Sequence, residues 1–179
     1  MIYYQNENKD QSSNSKTFSA NIRPIEEKDN EYLAKLIRET FEEFDAPKEG
    51  TVYSDPRTDI LYQFFKHPES EYWVVEYNNK IVGGCGFYPT EGLPTACAEV
   101  VKLYLSPTIR GKGLGSYLIN MIEERARNAG YRQLYIESFS FFQSAIYLYE
   151  KMGYKYLKSP LGNSGHSATT IHMLKDIMK

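Results

Sequence analysis

The sequence predicts an α/β (mixed α+β) domain in which one twisted sheet carries helices on its faces. Two observations support this fold class. Apolar residues recur at strand spacing in some segments and at helical spacing in others, and the two kinds of segment are interspersed along the chain. Their order is a strand, two helices, a meander of strands, two strand–helix units and a last hairpin.

The first residues of the chain are polar. Residues 1–16 are rich in Asn, Gln, Ser and Lys and lack an apolar period, which predicts a flexible N-terminal tail, although Ile2-Tyr3-Tyr4 could dock on the domain. Residues 17–179 are then predicted to form a single domain, since the whole chain of 179 residues has room for one full core.

Four helices are predicted from apolar residues at helical spacing and from residues that start or stop a helix. Asp29 can cap the first helix, and Asp55-Pro56 can begin a shorter second one. The third and fourth are predicted over about 115–128 and 141–152, and glycines 130 and 153 end them.

The strands are predicted from β-branched and aromatic runs bounded by turn residues. An Asn78-Asn79 turn joins two of them, and glycines 83, 84 and 86 suggest a bulge or a close backbone approach. The predicted strands cover residues 18–25, 71–77, 80–88, 98–105, 131–138, 154–157 and 168–174.

The overall charge and the cysteine content exclude several classes of protein. A net charge of −2 gives no general attraction to nucleic acid or to anionic membranes. No apolar run approaches the roughly 18 residues of a spanning helix, and the start of the chain does not have the pattern of a secretory signal. Two cysteines alone form neither a disulfide scaffold nor a four-ligand zinc site. We therefore expect a cytoplasmic protein that binds no nucleic acid and no membrane.

A glycine-rich turn follows the apolar strand at 98–105. It runs from Arg110 to Gly115 and opens the third helix. Its glycines permit positive φ, and the uncompensated N–H groups of a helix start favour a phosphate. The spacing fits neither a dinucleotide-binding G-x-G-x-x-G, because Gly115 comes one position too soon, nor a P-loop. The turn therefore predicts a phosphate or pyrophosphate cradle of another kind.

Two motifs together carry a family resemblance. Arg110, Gly113 and Gly115 form R-x-x-G-x-G after a strand, and residues 145–154 read AIYLYEKMGY. About one helix and one strand lie between them. On these motifs the chain resembles the GNAT superfamily of acyl-CoA-dependent N-acyltransferases. The resemblance implies the GNAT fold, with one twisted, mostly antiparallel sheet and helices on both faces, and it implies acetyl-CoA as co-substrate and no metal.

The resemblance also implies roles for particular residues. Tyr149 stands where many relatives have the residue that protonates the departing thiolate, and Glu99 matches a base position used by some members. Glu137 is a rival base, and Phe142 departs from the asparagine that relatives often carry. The implied cofactor-binding residues are Leu103, Tyr104 and Leu105 for the pantetheine arm, and Arg110, Gly111, Lys112, Gly113, Leu114, Gly115 and Ser116 for the pyrophosphate.

The predicted function is transfer of an acetyl group from acetyl-CoA to a primary amine by direct attack, with a small-molecule acceptor favoured over a protein. The alternatives are an acyl-CoA-sensing domain without turnover, a protein lysine or N-terminal acetyltransferase, and a structural domain with an empty turn. Loops at about 45–55, 89–97 and 159–170 are the candidate acceptor loops, and His166 in the last of them could border the acceptor. The oligomeric state stays open, a homodimer being one option.

Overall fold

A computed structural model describes residues 2–6 and 18–178 of the chain. Apart from an additional first strand, the strands and helices within those ranges follow the predicted order. They are β1 (Ile2–Asn6), β2 (Phe18–Pro24), α1 (Asn30–Glu43), α2 (Leu61–Phe64), β3 (Glu71–Tyr77), β4 (Lys80–Tyr88), β5 (Cys97–Leu105), α3 (Leu114–Asn128), β6 (Gln133–Ser138), α4 (Gln143–Lys151), β7 (Lys155–Tyr156) and β8 (Ile171–Asp176).

The eight strands form one sheet in the order β1-β2-β3-β4-β5-β6-β8-β7. Every neighbouring pair is antiparallel except β5 and β6, which are parallel. α3 lies between β5 and β6 in the chain, as a parallel connection requires. The predicted fold class, a mostly antiparallel sheet with helices, is confirmed.

The sheet has a hydrophobic cluster on each face. Side chains of β3 alternate between the two: Trp73 and Val75 belong to the cluster built on α3, and Tyr72 and Val74 to the cluster built on α1 and α2. Since successive side chains of a strand point to opposite faces, the helices cover both sides of the sheet. This arrangement leaves the middle of the sheet, around β4 and β5, buried on both faces.

The N-terminal residues differ from the prediction. Ile2–Asn6 form the edge strand β1 and pair with β2, so the prediction of a flexible tail is wrong for these residues. Tyr4 explains the pairing, since its ring is buried against Phe18 and Tyr117. The rest of the predicted tail, residue 1 and residues 7–16, lies outside the described residues.

Two helix starts also differ in detail. Asp29 precedes α1 as predicted, but its carboxylate accepts hydrogen bonds from the Arg23 guanidinium and the Glu26 N–H instead of capping that helix. The second predicted helix is a 3-10 turn over Pro56–Ile60 followed by the single turn of α2. Asp55 does cap this segment, since its side chain accepts from the Arg57 N–H at 2.9 Å.

Candidate active site

The two parallel strands at the centre of the sheet pair only at one end. Cys97–Glu99 of β5 face Gln133–Tyr135 of β6, and the pairing stops there. A bulge in β5 follows, where the register with β4 shifts and Lys102 takes a φ of +53°. The strands therefore separate beyond Glu99, and an opening lies between them.

A cleft of about 390 Å³ occupies this opening. It brings together most of the residues that the resemblance placed at a cofactor: Leu103, Tyr104, Leu105, Arg110, Gly111, Gly113, Gly115, Ser116 and Tyr149. Two predicted cofactor-binding residues do not line it. Leu114 is buried in the core, and the Lys112 ammonium lies 5.7 Å from the centre of the Phe18 ring.

The turn before α3 exposes main-chain N–H groups to the cleft. Gly111 and Gly113 have φ of +74° and +79°, a conformation that L side chains rarely adopt. Gly113 is the N-cap of α3, and no side chain caps the helix there. The first bond into the helix runs from Tyr117 N to Gly113 O at 3.1 Å. The N–H groups ahead of Tyr117 are therefore available to an anion.

The Arg110 guanidinium is bound by the protein itself. Nη1 and Nη2 donate to the two Glu43 carboxylate oxygens at 2.7 and 2.9 Å, and Nε donates to the Leu105 carbonyl at 2.8 Å. The side chain thus ties the end of β5 to the end of α1. Its charge is neutralised by Glu43, so in this arrangement the groups of the turn that remain available to an anion are its main-chain amides.

The first strand supports the same turn, which the sequence did not predict. Tyr4 Oη and Asn6 Nδ2 both donate to the Lys112 carbonyl, at 2.7 and 2.8 Å. The only sequence signal was the apolar triplet at residues 2–4 in an otherwise polar segment. Because the two donors lie more than a hundred residues before their acceptor, local pattern does not reveal the contact.

Tyr149 lines the inner part of the cleft. Its side chain is buried, and among the described residues its hydroxyl has no hydrogen-bond partner. Burial raises the pKa of this phenol well above its ordinary value, so the group keeps its proton at neutral pH. Phe142 also lines the cleft, with its ring 5.1 Å from the ring of Phe44, so this wall of the cleft is apolar.

Glu99 lies in a second cavity, of about 300 Å³. The two cavities border consecutive parts of the same strands: the second reaches Lys102 on β5 and Phe139 just after β6, and the first begins at Leu103 and Ser138. The Glu99 carboxylate accepts one hydrogen bond, from Thr90 Oγ1 at 2.5 Å. Burial raises the pKa of Glu99 to about 7, which a proton acceptor at neutral pH needs.

The rival carboxylate, Glu137, lines the same cavity but is held by the protein. It accepts hydrogen bonds from the hydroxyls of Tyr135, Ser164 and Thr169, at 2.9, 2.7 and 3.2 Å. Three donors occupy much of its accepting capacity, whereas Glu99 has one. The geometry therefore favours Glu99 as the carboxylate that can take up a proton.

A charged cluster completes this cavity. The Asp55 carboxylate accepts from Arg57 Nε and contacts His166 Nε2 at 3.1 Å, and the Lys102 ammonium is 3.9 Å away. Burial alone would raise the pKa of Asp55, but the hydrogen bonds from His166 and Arg57 hold it below its ordinary value. The loop at 159–170 does reach this cavity, through His166.

Asp55, Arg57 and Lys102 were not predicted as site residues. Asp55 was interpreted as a helix start at the end of the candidate acceptor loop at about 45–55, without a role of its own in the site. A lysine inside the apolar strand at 97–105 was the one available signal, since a lysine is almost never fully buried unless it is paired.

Residues 31–154 match the Acetyltransferase (GNAT) family. The chain belongs to the GNAT family of acetyltransferases. The matched residues include both motifs and the whole of the cleft's glycine turn, and the match confirms the resemblance. As a member of this family, the protein is an acyltransferase.

Similar proteins agree with this membership. The GNAT chain is 37% identical over 157 residues to the uncharacterized N-acetyltransferase YjgM of Escherichia coli. The aligned region covers 87% of this chain and 94% of that protein. An acetyltransferase structure from Staphylococcus aureus superposes with a TM-score of 0.77 at 18% identity, covering 88% of this chain and 99% of that one. The PaiA N-acetyltransferase of Thermoplasma acidophilum, solved in complex with coenzyme A, has a TM-score of 0.69 at 18% identity, covering 89% and 99%.

Two further observations concern the described part of the GNAT chain. Its longest helix, α3, has 15 residues, and none of its helices could cross a membrane. Within residues 2–6 and 18–178, no three His, Cys, Asp or Glu side chains are grouped so that they could hold a metal ion.

Proposed function

We propose that this protein transfers the acetyl group of acetyl-CoA to a primary amine of a small molecule, by direct attack of the amine. The observation that carries the proposal is the junction of the two cavities along β5. The cleft with exposed main-chain amides ends where the cavity with a buried, partly ionised carboxylate begins. An acyl donor in the first and an amine in the second would meet at that junction.

The cleft fits coenzyme A in three respects. The amides of Gly111 to Ser116 suit a pyrophosphate, and the unpaired part of β5 at Leu103 to Leu105 can offer main-chain groups to the pantetheine arm. A Cβ built on Gly111 would meet no atom within 4 Å, so this part of the turn is open. The solved relative with coenzyme A bound supports the same assignment by analogy of fold.

Acetyl-CoA would supply an activated thioester, and two side chains would handle the protons. Glu99 accepts a proton from the acceptor ammonium, directly or through water, and the free amine then attacks the carbonyl carbon. Tyr149 donates its phenolic proton to the thiolate as the carbon–sulfur bond breaks, and the second proton that the nitrogen loses as the amide forms restores the phenol. Neither residue forms a covalent bond to the acetyl group, so one transfer needs one ternary complex.

The size of the acceptor cavity favours a small acceptor. At about 300 Å³ it lies at the lower end of the range for small-molecule sites. A protein lysine would instead need an open surface beside the carboxylate, and Glu99 is only 5% exposed.

Calorimetric titration with acetyl-CoA, followed by thiol release with a panel of amines, tests the proposal. We expect saturable binding, and thiol release that requires an amine. Two glycine variants form a matched pair for the binding site: Gly111→Ala and Gly130→Ala both place a side chain at positive φ in open space, but only Gly111 lines the cleft. Both should lose a similar stability, about 1–2 kcal/mol, and only Gly111→Ala should weaken acetyl-CoA binding.

Three results would contradict the proposal or part of it. Absence of acetyl-CoA binding by the folded protein would contradict the whole proposal. Acetyl-CoA binding without thiol release for any amine would instead support the alternative, an acyl-CoA-sensing domain without turnover. Equal loss of affinity in the two glycine variants would move the binding site away from the turn.

A further inference from the structure

Lys102 is a buried cation for which the described residues provide no hydrogen-bond acceptor. Its side chain is 4% exposed and lines the acceptor cavity, yet among residues 2–6 and 18–178 its ammonium donates no hydrogen bond. The nearest carboxylate oxygen, Asp55 Oδ2, is 3.9 Å away. A buried ammonium is costly unless it is paired and hydrogen-bonded, so three donors stand ready for a ligand.

The bulge in β5 is what places Lys102 there. Its φ of +53° is rare for a residue other than glycine, and its carbonyl accepts a hydrogen bond from the buried Tyr72 hydroxyl at 3.0 Å. The backbone is thus held in a strained conformation, of a kind that clusters at functional sites. Burial lowers the pKa of Lys102 to about 8, so the side chain still carries most of its charge at neutral pH.

The carboxylate beside Lys102 is already committed to other partners. Asp55 accepts from the Arg57 N–H and from Arg57 Nε, and it contacts His166. Arg57 in turn donates Nη2 to the Ser164 carbonyl at 2.9 Å, and its Nη1 has no partner among the described residues. The Lys102 ammonium is therefore free to donate, and Arg57, which also lines the cavity, has one uncommitted guanidinium nitrogen.

The other charges on the cavity wall are carboxylates. Glu99 is the proposed base, Glu137 is bound by three hydroxyls, and Glu91 also lines the cavity. Counting Asp55, four acidic side chains face two cations and one histidine. An acidic cavity attracts an ammonium group, and a cation embedded in its wall provides a separate position for an anion.

We propose that Lys102, assisted by Arg57, binds a carboxylate of the acceptor, so that the substrate is a small zwitterion with its amine at Glu99. This inference rests on the proposed function, because it describes the substrate of the same site. Lys102 follows Glu99 by three positions on one strand, which suits an acceptor whose amine and carboxylate are separated by a few atoms.

A carboxylate fits this position better than a phosphate. A phosphate monoester carries close to two negative charges at neutral pH, and four carboxylates line the cavity. Only one uncommitted ammonium and part of one guanidinium are present to balance it. A single negative charge is matched by Lys102 alone.

The test is thiol release from acetyl-CoA with matched acceptors. The panel contains α-, β- and γ-amino acids, the amide of each, the amine that lacks the carboxylate, and phosphoethanolamine. We expect kcat/KM for the best amino acid to exceed that of its amide by at least tenfold, chiefly through KM. Lys102→Met, which keeps the length of the stem and removes the charge, should reduce that preference by about tenfold.

Control variants separate a loss of the carboxylate preference from a general loss of activity. Lys35→Met removes an exposed lysine on α1 and should keep the full preference. Lys102→Arg keeps a positive charge and should retain more of the preference than Lys102→Met. Calorimetric binding of the N-acetylated amino acid and of its amide to the unmodified protein measures the same preference without turnover, and it decides the question if the Lys102 variants do not fold.

Several outcomes would overturn the inference without touching the proposed function. These are amides or simple amines used as well as amino acids, a preference for phosphoethanolamine, or an unchanged preference in folded Lys102→Met. Failure of the proposed function has a different signature, since acetyl-CoA would then not bind or no amine would release thiol.

Discussion

The Tyr4 hydroxyl donates a hydrogen bond of 2.7 Å to the Lys112 carbonyl, joining the first strand of the sheet to the turn before α3. Asn6 Nδ2 reaches the same oxygen at 2.8 Å. The carbonyl belongs to the residue between Gly111 and Gly113, both at positive φ. Two donors from β1 therefore hold the peptide at the centre of the proposed pyrophosphate site in one orientation.

We expect Tyr4→Phe to weaken acetyl-CoA binding about fivefold, because one hydrogen bond contributes about 1 kcal/mol and Asn6 still holds the carbonyl. The double variant Tyr4→Phe, Asn6→Ala should lose more than the sum of the single losses, since it leaves the carbonyl without either donor. Titration calorimetry measures both. Tyr32→Phe, at a 62% exposed position on α1, is the control and should bind normally. An unchanged dissociation constant in the double variant would show that β1 does not orient the turn.

Glu99 should control the acidic side of the rate profile. Its pKa of about 7 predicts that kcat/KM rises with pH up to neutrality, as the carboxylate loses its proton. Glu99→Gln should remove this rise and lower the rate by about 10²-fold or more. Values of kcat/KM measured from pH 5.5 to 9 with one good acceptor test this prediction. Glu137→Gln is the matched comparison and should keep the rise of kcat/KM with pH. If Glu137→Gln loses this rise and Glu99→Gln keeps it, Glu137 is the base.

Glu99 should also lower the stability of the folded protein at neutral pH. Burial raises its folded-state pKa from 4.5 to about 7, so the folded state binds the proton more tightly than the unfolded state does. Its contribution is absent below about pH 4.5, becomes increasingly unfavourable as pH rises to about 7, and is constant above that. At about 1.4 kcal/mol per pKa unit, the cost reaches about 3 kcal/mol.

Glu99→Gln should therefore melt at a higher temperature than the unmodified protein at pH 8 and at a similar temperature at pH 4.5. Thermal unfolding without ligand at the two pH values measures the difference. A variant that is less stable at pH 8 would mean that the carboxylate is not desolvated in the folded protein.

The base should matter more than the acid. Removing a proton from a lysine-like amine with a pKa near ~10.4 costs about 4.6 kcal/mol at pH 7, whereas a thiol near ~8.5 needs about 2 kcal/mol of proton help. We therefore expect Glu99→Gln to lower turnover more than Tyr149→Phe, whose loss should stay within about 30-fold. Tyr147→Phe, on the same helix and 69% exposed, is the control. If Tyr149→Phe lowers turnover with a verified acceptor as much as Glu99→Gln does, or more, the predicted order of the two residues is wrong.

Local pattern was enough to predict much of the sheet. β3 and β4 begin and end at the predicted residues, since a β-branched and aromatic run and an Asn78-Asn79 turn both lie within one hairpin. α3 begins one residue before its predicted start, at the glycine turn that the motif marks. β1 was missed because residues 7–17 separate it in sequence from β2, the strand with which it pairs. Five residues by themselves show too weak a hydrophobic pattern to predict a strand.

The sequence by itself determined the fold class, the family and the glycine turn, because each depends on residues that are neighbours along the chain. The tertiary structure decided the rest of the site. It separated β5 from β6 at Glu99, bound Arg110 to Glu43, and surrounded Glu137 with hydroxyls that leave Glu99 as the carboxylate with fewer hydrogen bonds. It also placed Lys102 beside Asp55, 47 positions earlier in the chain. Burial and hydrogen bonding set the charge and reactivity of these groups, and both are properties of contacts between distant segments.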